Sequence, residues 1–309
     1  MRSFKFYAAS AVAGALVLAA TPASANLVIN PTFDSSITSD ANAATIMNTI
    51  NSAIGFYEST FTDNITVNIT FQEMSSGLGA SSTFIVRPSY SDYITHLTAD
   101  ATSAADATAL SHLPIQANDP VTGHTGIVLS TANARAVGLS AATASDGTIS
   151  LNTSICNLDR VSPSPSKYDL YAVACHEMDE VLGTGSWIDR SISSDAAIRA
   201  MDLFRYNGAG GRSFTDATTA QAFFSIDGTT DIVQFNQSGS GDWGDWIHNS
   251  PPQVQDFSGT PGAIVNPGFS EITALDVIGY NGPVPVPEPA SMAVLGLGAA
   301  ALIRRRKRG

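Results

Sequence analysis

Apolar positions recur at helical spacing from Ala41 to Phe61, where Ile46, Ile50, Ile54, Phe56 and Tyr57 stand mostly three or four residues apart. The pattern then changes to alternation. Ile65, Val67, Ile69 and Phe71 predict a strand over residues 64–71, and the Gly/Ser-rich stretch Ser76–Ala80 predicts a turn. Tyr90 to His112 reads as one or two Ala-rich helices ending at Pro114, and Ile127–Leu129 and Thr148–Leu151 read as short strands, the second introduced by the turn signal Asp146-Gly147. A Pro/Ser loop over 157–166 leads into a helix from Tyr168 to Leu182. Ser166 and Asp169 form a capping pattern at its start, and Gly183 and Gly185 end it. Further on come a helix near Asp195–Asp202, a Gly-rich turn at Gly208–Gly211, a β-leaning stretch from Ala222 to Phe235, the loop Gly239–Asp245 and a short helix over Glu271–Ile278. There is no internal repeat.

The two ends follow other rules. Residues 1–25 combine the positive start Arg2 and Lys5, an apolar run from Ala8 to Ala20 and the small-x-small site Ala23-Ser24-Ala25. This predicts a cleaved signal peptide and a mature chain starting at Asn26. Residues 283–309 contain a Pro-rich linker with Pro287-Glu288-Pro289, an apolar run from Ala290 to Ile303, and the cluster Arg304–Arg308. Fourteen apolar residues fall short of the ~20 that span a bilayer as a straight helix, but flanking arginines extend the reach. The basic cluster puts the body outside the cytoplasm. This ordered tail resembles the PEP-CTERM sorting signal of Gram-negative bacteria. The resemblance implies recognition and removal by an exosortase-type sorting enzyme, transient membrane contact through the tail, and a destination at the outer surface or in the extracellular matrix.

Charge narrows the choice of partners. The ends hold seven of the 15 basic residues, so the body keeps eight against nearly all of the 27 acids, a net charge of about −18. Such a body repels nucleic acid, which is set aside as a partner. In an oxidising exterior the two cysteines, Cys156 and Cys175, are expected to form a disulfide.

The candidate chemistry lies on the 168–182 helix. His176 and Glu180 are i and i+4 and share one face, so an imidazole and a carboxylate can both reach one metal ion. Glu177, about 100° round the helix, can act on water beside that ion without holding it. His176-Glu177-Met178-Asp179-Glu180 departs from His-Glu-x-x-His by its final glutamate. The added negative charge weakens the ion as a Lewis acid.

The flanks Tyr168–Glu177 and Val181-Leu182-Gly183 resemble the active-site helix of metzincin or matrixin-like secreted peptidases. Thr273–Tyr280 is similar to their closing Ala-Leu-x-x-Ile-Gly segment, and Met201–Tyr206 resembles an Asp-Leu-Phe-Arg-Tyr segment of PEP-CTERM-tagged metalloproteases with the altered motif. The resemblance implies an α/β (α+β) fold over residues 26–282: a small twisted sheet packed on helices, including the active-site helix, with a loop-rich C-terminal subdomain. The segment Gly147–Asn152 is expected as the substrate-binding edge strand. The implied activity is zinc-dependent hydrolysis of a protein or peptide substrate, with Glu177 as general base and zinc on His176, Glu180 and a third group.

Ser186 stands where such a family places that third ligand, and its hydroxyl is a poor one. Asp202 and Asp189 are the two candidates, with His248 a further one. Asp202 equally suits a helix-end carboxylate paired with Arg205, and Asp189 a neighbour of Arg190. Asp242-Trp243-Gly244-Asp245-Trp246 lacks the spacing of a calcium loop, and its tryptophans are expected to pack as a lid. The competing expectation for the whole chain is a non-catalytic surface or matrix protein on a degenerate peptidase scaffold.

Overall fold

Val67, Ile69 and Phe71 point to one side of their strand and are completely or almost completely buried. That strand is the second of a mixed sheet in the computed structural model, which describes residues 26–188 and 196–282. The chain order begins β1 (Val28–Phe33), α1 (Ser35–Thr38), α2 (Ala43–Thr60), β2 (Thr66–Glu73), β3 (Gly79–Thr83) and β4 (Ile85–Val86). It continues through α3 (Tyr90–Asp100), α4 (Ala104–Ser111), β5 (Gly126–Ser130), α5 (Thr131–Ala136), β6 (Gly147–Leu151), β7 (Cys156–Asn157), β8 (Tyr168–Asp169) and α6 (Leu170–Leu182). The last elements are β9 (Ala196–Arg199), β10 (Arg205–Tyr206), β11 (Phe223–Phe224), β12 (Val233–Gln234) and α7 (Phe269–Val277).

The main sheet runs β1-β2-β6-β3. Its first three strands are parallel, and β3 closes the sheet antiparallel to β6, with Ser81 opposite Ile149. Helices α2 and α6 pack against each other, with α2 also touching β1 and α6 touching β6 and β3. One continuous core runs from Leu27 to Tyr280. From Arg205 to Gly268 regular structure shrinks to three two-residue strands, and aromatic packing takes over. Trp246 stacks on Phe224 with centroids 5.6 Å apart and lies 4.9 Å from Phe235. The architecture is α+β.

Four local expectations need correction. The strand expected at the sheet edge, Gly147–Leu151, is interior; the edge is β3, whose Gly-Ala-Ser-Ser-Thr sequence reads as a turn. It lacks apolar alternation because side chains of α6 press on it where Gly79 leaves room. The helix carrying His176 starts at Leu170, two residues late, because Asp169 is occupied by Arg160 at 2.5 Å and Ser166 by Ser164. The segment expected as a helix before Asp202 is strand β9, paired with the fully buried β5. The disulfide is not formed. Cys156 and Cys175 are both free and buried, Cys175 against the hydroxyls of Tyr57 and Tyr171, and burial raises the pKa of both thiols.

The expected signal peptide (1–25), the tail (283–309) and Asp189 lie outside the described residues. Among the described residues no helix is long and apolar enough to cross a membrane.

Candidate metal centre

The helical turn 176–180 delivers the juxtaposition its spacing predicts. His176 Nε2 lies 3.8 Å from Glu180 Oε1. The third group is Asp245, with Oδ1 at 3.6 Å from the same nitrogen. The three ligand atoms lie within 4.8 Å of one another. Donors at ~2.0–2.2 Å from a tetrahedral ion stand roughly 3.3–3.6 Å apart, so small side-chain adjustments close this triangle on a cation. The donor set is one imidazole nitrogen and two carboxylate oxygens, groups that could hold a metal ion.

Each of the three groups is held from outside. His176 Nδ1 is 2.9 Å from the carbonyl oxygen of Val254; bonding to that acceptor requires the proton on Nδ1 and turns Nε2 toward the carboxylates. Ser81 Oγ, on β3, donates to Glu180 Oε2 at 2.5 Å. Gln255 Nε2 donates to Asp245 Oδ1 at 3.2 Å. Helix α6 stops where Gly183 takes φ +138°, a conformation that disfavours a side chain. The loop carrying Asp245 then docks on the turn that follows. A side chain at Gly244 would stand 2.8 Å from the Thr184 carbonyl, so glycine lets the two backbones meet. Buried Arg205 braces the same loop, donating to the Trp243 carbonyl and, at 2.6 Å, to Gln237 Oε1.

The electrostatics are those of a site short of positive charge. Burial alone would lower the pKa of His176, yet Asp245, Glu177 and Glu180 raise it to about 10. Burial raises the carboxyl groups of Glu180 and Asp245. Glu177 is pushed well above its ordinary value by burial and by the adjacent Glu180. A divalent cation among these groups would supply the missing charge more directly than a proton on His176 does. Glu177 sits under Gly79, at the floor of a cleft of about 280 Å³ lined by Leu78, Gly79, Tyr168, His176 and Asp245. A second cavity of about 240 Å³ continues along β3 past Glu180, between Ser82 and Trp187.

The other sequence candidates have different work. Asp202 is completely buried and accepts hydrogen bonds from Ser186 Oγ (2.5 Å), Trp187 N (2.9 Å) and Arg199 N (2.8 Å). It organises the turn after α6, outside the ligand cluster, and Ser186 serves that turn too. His248 is exposed, with Nδ1 3.4 Å from the Ser258 carbonyl. Trp246 is in the core and forms no lid. Asp245 escaped the sequence reading because it has no fixed spacing from the helix. Its only local signal is an acid beside Gly244 in a loop judged for calcium.

Residues 285–308 match the family described as the PEP-CTERM protein-sorting motif. No curated protein and no solved structure shows a significant match to the chain. The motif defines the class: an exported protein, recognised by an exosortase-type sorting enzyme and anchored through its C-terminus in the course of sorting.

Proposed function

We propose that this protein is a zinc-dependent peptidase sorted to the outer surface or extracellular matrix of a Gram-negative bacterium. The observation that carries the reading is the convergence of His176, Glu180 and Asp245 beside Glu177 in a cleft walled by a sheet edge. The metzincin-like reading of the scaffold is supported by an antiparallel edge strand lying along the His-Glu helix. An extended peptide can add to β3 as a further strand, with main-chain hydrogen bonds giving affinity and the two flanking cavities taking side chains.

In this mechanism His176, Glu180 and Asp245 would hold the cation, which when bound would polarise the scissile carbonyl and acidify a water. Two carboxylate ligands make that effect weaker than neutral ligands would. Glu177 takes the proton of the attacking water and passes it to the leaving amine. Its burial under β3 keeps the carboxylate at a fixed place and excludes bulk solvent. Ser81 holds Glu180 in place from the strand that the substrate would pair with.

The test separates holding from chemistry. The exported protein should contain about one zinc per chain, lost in His176→Ala. Glu177→Ala should retain zinc and lose turnover of quenched fluorescent peptides. Hydrolysis retained by Glu177→Ala removes that residue from the mechanism. A protein free of metal and equally stable in chelator favours a non-catalytic surface or matrix component on a degenerate peptidase scaffold.

A further inference from the structure

Two of the three converging groups depend on one dipeptide. The carbonyl of Val254 meets His176 Nδ1, and the side chain of the next residue, Gln255, reaches Asp245. We propose that Gln255 is a positioning residue that sets the Asp245 carboxylate as the third metal ligand; the inference rests on the metal reading above.

Three observations carry it. First, Gln255 donates to Asp245 Oδ1, the same oxygen that faces His176 Nε2 at 3.6 Å. A carboxylate oxygen has two lone-pair directions. Occupying one with an amide N–H leaves the other for the cation and fixes the rotation of the group.

Second, Gln255 is itself immobilised. It is 1% exposed, its carbonyl accepts from Trp246 N at 2.8 Å, and its N–H donates to Glu271 Oε1 at 3.2 Å. Glu271, on α7, also accepts from Trp246 Nε1 at 3.1 Å and from Gly268 N at 2.9 Å. A single buried carboxylate thereby ties the ligand loop, the Val254-Gln255 segment and the closing helix together.

Third, Gln255 Oε1 is buried without a hydrogen-bond partner. An apolar side chain of the same length would fill the space without that unfavourable burial. The amide is therefore there for its donor, and the donor points at Asp245.

Gln255→Met keeps the volume and removes the donor. Zinc affinity of the folded, metal-stripped protein, read by competition with a chromogenic chelator, should fall roughly 10–100-fold. The thermal midpoint of the metal-free protein should stay level or rise, because the orphaned oxygen is gone. In an Asp245→Asn background the Gln255→Met change should have no further effect on affinity. Should Gln255→Met fail to fold, Gln255→Leu, which has no donor and adds no charge, should show the same loss. Wild-type affinity in the folded variants, or an undiminished loss in the Asp245→Asn background, overturns the role of Gln255. A wild-type protein that binds no zinc overturns the metal reading itself, so the two failures are distinguishable.

Discussion

Replacing Gly79 by alanine probes the contact between the sheet edge and the proposed general base. A methyl group at this position would stand 3.0 Å from Glu177 Cδ and 2.8 Å from Val173 Cγ1, with Glu177 Oε1 closer still. Carbon–carbon contacts settle at ~3.5–4.0 Å, so roughly 1 Å of displacement is required. Either the Glu177 carboxylate swings away from the cleft floor or β3 moves off α6. A misplacement of ~1 Å in a catalytic group costs on the order of 100-fold in rate, equivalent to about 2.7 kcal/mol of activation free energy. None of the three ligands is touched, so zinc content should remain about one per chain. Steady-state hydrolysis of a quenched fluorescent peptide by the zinc-loaded protein distinguishes the two responses. A displaced Glu177 lowers kcat with KM little changed, whereas a displaced β3 raises KM through lost strand pairing. A folded, zinc-loaded Gly79→Ala protein with kcat/KM within twofold of wild type would refute the placement of Glu177 under this strand.

Two further tests address the scaffold. Tyr57 Oη donates to Asp179 Oδ1 at 2.7 Å, and Asp179 is completely buried with Oδ2 unpartnered; Tyr57→Phe should destabilise by about 1–3 kcal/mol in urea titration, and an unchanged midpoint would contradict that role. Asp63, beside the last described residues, accepts from Asn281, and burial raises its pKa from 3.8 to about 6. Between those values the folded state binds more protons than the unfolded state, so this group favours folding most below pH 4 and its contribution is lost as pH rises through 6. Asp63→Asn should therefore raise stability at pH 8 by up to about 3 kcal/mol and leave it level at pH 4, as denaturation at the two pH values will show.

Local order was written plainly in the chain. Helix α2 and strand β2 follow from apolar spacing, because core burial acts on faces that repeat every two or 3.6 residues, helices α3 and α4 from Ala-rich composition, and the body of α6 from its flanking loop and terminal glycines. His176 and Glu180 were legible for the same reason, since i and i+4 are neighbours in any helix, and the sorting tail was legible from composition and order alone.

Tertiary structure decided the rest. The edge strand β3 has no apolar rhythm, and its place is set by pairing with β6 and by room for Glu177 at Gly79. The two cysteines are both free and buried in the core, which no count of cysteines reveals. Asp202 resembled a ligand by neighbourhood and proved to organise a turn. Asp245 reached the site through contacts remote in the chain: the meeting of Gly244 with Thr184, the brace from Arg205, and the hydrogen bond from Gln255. A helix carries its geometry within five residues, whereas a ligand on a loop is placed by whatever packs around that loop, and those partners are assembled only when the chain folds.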